Sequence, residues 1–285
     1  VDRTELIDEL SDLLGVRHEA RFIVEDATGD GQQRDISPRV AEAARALARR
    51  RVAGEPLQYI LGHWSFRYLD LLVDQRVLIP RPETEAVVEV ALAELALLGS
   101  PDPIIVDAGT GSGAIALSMA TELAMTHPAG RVWAIDVSPD ALCVAALNLE
   151  RVAAGRPEML TVSLVRGSWL SALPTELRGT IDLVVSNPPY VAATEWDALS
   201  IEVQQEPPGA LIADDSTDGT PGLADVVTVL AQSIEWLARP GTVVIELAPH
   251  QATAASTIAA AMGFVDVRVA PDLTMRPRAL VGRLR

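Results

Sequence analysis

The stretch "DAGTGSG", Asp107 to Gly113, invites chemistry through what it lacks. Gly109, Gly111 and Gly113 carry no side chains, so a ligand can approach the backbone there. Thr110 and Ser112 add only small hydroxyls between them. An acid, Asp107, precedes the glycines, and a second, Asp136, closes the next apolar run, "RVWAID". A carboxylate at that second position can accept both hydroxyls of a ribose. The pattern reads as a site for a nucleoside cofactor. A nicotinamide dinucleotide calls for G-x-G-x-x-G, with its pyrophosphate on a helix N-terminus. Here the spacing is G-x-G-x-G, and an acid beside the loop repels a pyrophosphate while suiting a cationic amine. S-adenosylmethionine brings a ribose, an α-amine and a sulfonium, and no phosphate. It fits better than the dinucleotide, and better than glycines that serve strand–helix packing alone.

A second cluster, "SNPPY", follows the apolar run "IDLVV". Pro188 and Pro189 have no N–H to donate and cannot continue a sheet ladder. Asn187, placed near the donor's methyl group, offers a side-chain oxygen. The backbone carbonyl of Pro188 offers another. Both can accept from a planar –NH2 group, hold it flat and favour positive charge developing on its nitrogen. The Tyr190 ring can stack on that planar acceptor. The reaction is then an in-line displacement at a sulfonium methyl, driven largely by alignment. Adenine N6, guanine N2 and a side-chain carboxamide all satisfy this chemistry. No metal is required, and the histidines, His18, His63, His127 and His250, are too scattered to suggest one.

The elements that must carry these groups are legible from periodicity. From residue 103 onward, apolar strand-like runs alternate with helical ones. This predicts an α/β fold, a doubly wound, mostly parallel seven-stranded sheet covered by helices on both faces. The last two runs, "FVDVRVAPD" and "RALVGRLR", have no helix between them and should form an antiparallel edge pair. Ahead of the sheet, residues 1–54 read as a small helical bundle. In its first helix Leu6, Leu10, Leu13 and Leu14 share a face, Asp2 caps the start, and Gly15 ends it. The basic run Arg49 to Arg51 reads as a solvated helix end. Residues 55–81 read as a linker holding a β-hairpin, with "WSFRYLDLLV" and "RVLIP" as its strands and Asp74–Gln75 as its turn. Residues 82–285 form the larger domain, opened by the helix "RPETEAVVEVALAELALLG".

Composition narrows the partners. The formal net charge is −16 and every basic residue is arginine. Nucleic-acid binding draws on a basic face, so direct binding to nucleic acid is not expected. The start of the chain has no apolar signal region and no run approaches a membrane span. The single cysteine, Cys143, excludes an internal disulfide, suits a reducing, cytoplasmic setting, and reads as a small core residue of a helix.

Longer signatures carry a resemblance. "GEPLQYILG", "LIPRPETE", "IVDAGTGSGAIAL", "VSNPPY", "EPPGAL" and a final "VGR" occur in that order. On these, the chain resembles the HemK/PrmC family of protein-glutamine N5-methyltransferases along almost its whole length. The resemblance implies the class I S-adenosylmethionine-dependent methyltransferase fold and an N-terminal domain that recognises a substrate protein. It implies a class I peptide chain release factor as that substrate, methylated on the glutamine of a Gly-Gly-Gln motif. By the same resemblance, residues 109–113 and Asp136 hold the donor, Trp169 lies near its adenine, and residues 187–190 hold the glutamine amide. Two positions depart from the family pattern. Ser168 stands where an acid usually precedes the tryptophan, and "ELA", Glu246 to Ala248, stands for E-x-G. A DNA or RNA base N-methyltransferase with the same "NPPY" logic is the rival reading. A non-catalytic nucleoside-binding scaffold is the third.

Overall fold

The computed structural model describes residues 1–29, 34–216 and 219–285. Three helices open the chain: α1 (Arg3–Leu14), α2 (Arg17–Thr28) and α3 (Pro38–Val52). Asp2 accepts from the backbone N–H groups of Thr4 and Glu5, and Gly15 turns left-handed to stop α1. Leu6, Leu10, Ile23 and Val24 pack against Ala41, Ala44 and Ala48 of α3, whose small side chains let the helices approach closely. Leu14 packs against this cluster, whereas Leu13 faces solvent, one position beyond the buried stripe.

The short helix α4 (Leu57–Leu61) leads into a hairpin of β1 (His63–Phe66) and β2 (Leu69–Leu72). Its turn lies at Arg67–Tyr68, since Phe66 pairs with Leu69. The turn expected at Asp74–Gln75 is not the one that closes the hairpin. Asp74 does make a local turn, accepting from the Arg76 N–H at 3.0 Å through its side chain and from the Val77 N–H at 3.0 Å through its backbone. "RVLIP" then runs on as irregular chain. The real turn is held by distant partners: Arg67 (φ 49°) reaches Glu122 at 2.5 Å and Glu89 at 3.0 Å.

The remaining elements, in chain order, are α5 (Pro82–Leu98), β3 (Ile104–Ala108), α6 (Ala114–Glu122), β4 (Arg131–Asp136), α7 (Pro139–Gly155), β5 (Thr161–Arg166), β6 (Ile181–Ser186), the very short β7 (Val191–Ala192) and β8 (Ile212–Ala213), α8 (Ala224–Trp236), β9 (Leu237–Glu246), α9 (Ala252–Ala261), β10 (Val265–Pro271) and β11 (Pro277–Leu284). The central sheet runs β10-β11-β9-β6-β3-β4-β5. Strands β5, β4, β3, β6 and β9 are parallel, and β11 is antiparallel to both β9 and β10. The chain lays down β3, β4 and β5 outward in one direction, then crosses back to place β6 on the other side of β3. The crevice beyond the carboxyl ends of β3 and β6 is therefore the topological switch point, where such sheets bind ligands.

Strand alternation divides the core into two layers. Ile105, Leu183, Val185 and Val244 face α5 and α6, and Phe66, Leu69 and Leu71 of the hairpin join that layer. Val106, Val184, Val243 and Ile245 face the other side, against Val226, Val229 and Leu230 of α8 and Ala255 of α9. The same alternation turns Asp107 and Glu246, neighbours of these residues, toward the helical layer of α5 and α6. Among the described residues, no helix is long and apolar enough to cross a membrane. Cys143 lies on α7 as expected but is exposed, not a core residue. The buried face of α7 is set by Ala141, Val144, Ala145 and Asn148.

Candidate functional site

A cavity of ≈ 460 Å³ opens at the switch point. Its floor is the loop after β3. The N–H groups of Gly109 and Thr110 both donate to the Ile135 carbonyl, at 2.9 and 2.8 Å, which ties the loop to β4. Gly109 needs φ +83°, and a Cβ there would sit 3.3 Å from the Trp169 ring. Gly111 (φ +55°) has open space where a Cβ would stand, so bare backbone is presented. Asn148 of α7 braces the loop, donating to the Ser112 carbonyl at 2.9 Å while it holds Leu72 of the hairpin through both its groups.

Gly109, Thr110, Gly111 and Ser112 line the cavity, as do Asp136, Trp169, Asn187 and Pro189. Asp136 accepts from the Gly111 N–H at 2.8 Å and the Ser138 N–H at 2.9 Å. Burial raises its carboxyl above the usual value, against the pull of those N–H groups. Asp107 lies behind the loop and does not line the cavity. It is fully buried, with Oδ2 accepting from the Thr110 hydroxyl at 2.6 Å and the Ala116 N–H at 3.0 Å, and Oδ1 without a partner. Burial pushes its carboxyl up to about 7. Gly113, Pro188 and Tyr190 also sit outside the lining. The bare backbone at Gly111 and the carboxylate of Asp136 suit a ligand carrying a ribose.

Asn187 donates from Nδ2 to the Thr84 hydroxyl at 3.1 Å. The Tyr190 hydroxyl donates to Glu246 at 3.2 Å, and burial raises both groups above their ordinary values. The backbone of this segment is clamped. Gln251, itself buried, donates to the carbonyls of Tyr190 and Pro221 at 3.0 and 3.1 Å. Gly222 (φ +66°) packs so closely that a Cβ would fall 2.5 Å from the Tyr190 carbonyl oxygen.

The upper wall comes from two sequence motifs, one of which, "IPRPETE", also reads from sequence as a lid over the donor's methionine end. Residues 76–78, Pro80, Arg81 and Thr84 come from "RVLIPRPETE", and Pro207, Gly209 and Ala210 from "EPPGAL". One buried carboxylate fastens the two segments: Glu206 accepts from the Ile79 N–H at 2.9 Å and pairs with Arg81. Asp225, at the start of α8, completes this side. The only sequence signal for these groups was the two motifs themselves. The helix end at residues 49–51 is not simply solvated. Arg49 and Arg50 pair with Glu42 and Glu55, and half-buried Arg51 joins Glu19 of α2 to Glu202, each at 2.7 Å.

Known proteins resemble this chain in sequence and fold. Family models described as the PrmC N-terminal domain and the methyltransferase small domain match residues 5–62 and 92–205. A release factor glutamine methyltransferase of Burkholderia pseudomallei is 40% identical over 243 residues, spanning 84% of this chain and 79% of that protein. Its counterpart in Streptomyces coelicolor is 37% identical over 283 residues, spanning 99% of this chain and 90% of that one. A crystal structure of a methyltransferase from Pyrococcus furiosus matches the fold with TM-score 0.51 at 18% identity, covering 85% of this chain and 97% of that one.

Proposed function

The chain belongs to the release factor glutamine methyltransferase family, and from that premise we propose how its cavity works and on which substrate. The protein is an S-adenosylmethionine-dependent protein-glutamine N-methyltransferase. Its substrate is the glutamine of the Gly-Gly-Gln motif in class I peptide chain release factors, modified at the side-chain nitrogen N5, in the cytoplasm.

S-adenosylmethionine supplies an electrophilic methyl group. The backbone of residues 109–113 and the carboxylate of Asp136 hold the donor, with Trp169 bordering its base and Asp107 bracing the loop from behind through Thr110 and Ala116. Asn187 Oδ1 and the Pro188 carbonyl accept the two N–H bonds of the glutamine amide and keep its plane fixed. Electron density that amide resonance would draw toward the glutamine carbonyl is then favoured at nitrogen; the methyl would replace one amide hydrogen as the sulfonium–methyl bond breaks, the donor leaving as S-adenosylhomocysteine and the proton passing to solvent. Pro188 and Pro189 stiffen the segment, and the Tyr190 ring flanks the amide. The helices of residues 1–54 contact the body of the release factor.

The observation that carries this reading is the convergence of Asn187 with the glycine loop and Asp136 on one cavity. The net charge of −16 disfavours the nucleic-acid reading. Labelled donor, incubated with a release factor and separately with DNA and RNA, should deposit label on the factor's glutamine alone. Label on nucleic acid only would overturn the assignment. Asn187→Ala should bind donor as wild type does in calorimetry while losing most turnover; loss of donor binding would mean that Asn187 serves the cofactor instead.

A further inference from the structure

Thr84, in the first turn of α5, is buried, and its hydroxyl donates to Glu246 Oε2 at 2.7 Å. The Tyr190 hydroxyl donates to the other carboxylate oxygen, Oε1, at 3.2 Å. Each hydroxyl has one hydrogen and an ionised carboxylate has none. Both hydrogens are therefore committed to Glu246, and Thr84 Oγ1 remains only as an acceptor. The Asn187 amide meets that oxygen at 3.1 Å, and only its –NH2 end can make the bond. Its carbonyl end is turned away from Thr84.

We propose that Thr84 and Glu246 are positioning residues: acting in series, they fix the Asn187 amide so that its oxygen faces the substrate nitrogen. The inference rests on the glutamine reading above and adds to it what sets the polarity of the site. A free amide can present either end, and the reversed orientation offers N–H groups to a substrate that is itself an N–H donor. Glu246 lies at the end of β9, which pairs with β6, and β6 leads into Asn187. Thr84 lies on the helix packed over these strands. Neither residue needs to touch substrate, and Glu246 does not line the cavity. Burial raises the Glu246 carboxyl, and Arg278, 4.0 Å away, works against that rise in favour of the ionised form the hydrogen order requires.

The test compares Thr84→Val with Thr84→Ser in the full-length enzyme, using a release factor and labelled donor. Valine keeps the shape and removes the acceptor; serine restores it. Thr84→Val should bind donor within about twofold of wild type yet lose roughly 10- to 100-fold in kcat, as removal of orienting partners does at metal sites. Thr84→Ser should recover most of that loss. A filler role would lower the melting temperature without a selective fall in kcat, and serine would not rescue it. If Thr84→Val fails to fold, Glu246→Gln is read by the same criteria, because an amide there can donate as well as accept and the hydrogen order is lost. Unchanged kcat in the folded variant, or a serine variant as impaired as the valine one, overturns the inference. Wild-type transfer to the release factor is measured alongside. Its absence would sink the functional reading, whereas its presence with unaffected variants sinks only this inference.

Discussion

At the residue scale, burial decides how the acids behave. Asp107 is sealed behind the glycine loop with one oxygen unpaired, and its carboxyl is pushed from 3.8 up to about 7. In the unfolded chain it titrates near the lower value. Between the two, the folded protein holds a proton that the unfolded chain has released, so stability declines as pH rises through that window. The contribution is complete below the unfolded value and gone above about 7. Asp107→Asn should flatten that part of the curve, which denaturant midpoints collected from about pH 4 to pH 8 would reveal. Parallel profiles for wild type and variant would mean that Asp107 titrates normally. Asp136 and Asn187, which line the cavity, were marked in the sequence because glycine, proline and strand-end signals are local, whereas Asp107 lies behind the loop. Thr84 and Glu246 were not so marked. They lie 162 residues apart, and nothing in either segment announces the other. Their bond exists because the sheet order puts β9 next to β6 and beneath α5.

At the scale of elements, the segment proposed to hold the acceptor amide is a loop made rigid by its neighbours. The N–H of Val191 donates to the Leu211 carbonyl at 2.9 Å, Gln251 holds Tyr190, and the bare face of Gly222 packs against it. Gly222→Ala must push back the Tyr190 carbonyl and also strain a left-handed residue. It should cost about 1–3 kcal/mol of stability and lower kcat more than donor affinity. Thermal melts with steady-state kinetics check this; a variant indistinguishable from wild type would show that the segment adapts freely. Hairpin placement illustrates the opposite limit of sequence reading. A polar pair, Asp74–Gln75, signalled a turn, and a local turn forms at Asp74. The strands themselves reverse at Arg67–Tyr68, where ion pairs to α5 and α6 hold Arg67 at positive φ. Distant charges overrode local turn chemistry.

At the scale of the molecule, the helical bundle and the sheet are joined by specific ties. Arg51 lies between Glu19 of the bundle and Glu202 of the loop that follows the acceptor segment. The basic run reads as a solvated end because its second partner is 151 residues away. Arg51→Met keeps the apolar stem and removes both pairings. It should leave donor affinity unchanged and raise KM for the release factor several-fold, since the proposed recognition helices lose their anchor; loss of a charged hydrogen bond is worth about 1.5–3 kcal/mol. Titration calorimetry and substrate-saturation curves separate the two effects. A KM equal to that of wild type would leave Arg51 a purely internal tie.

The hydrogen order running through Glu246 also determines what the enzyme turns away. On the proposed orientation of Asn187, a glutamine that has deamidated would arrive as a carboxylate facing oxygen acceptors. It would be repelled before any methyl could move. Damaged copies of the substrate are thus refused by polarity rather than by shape, and an enzyme carrying Thr84→Val, its amide free to turn over, is the one that forfeits that refusal.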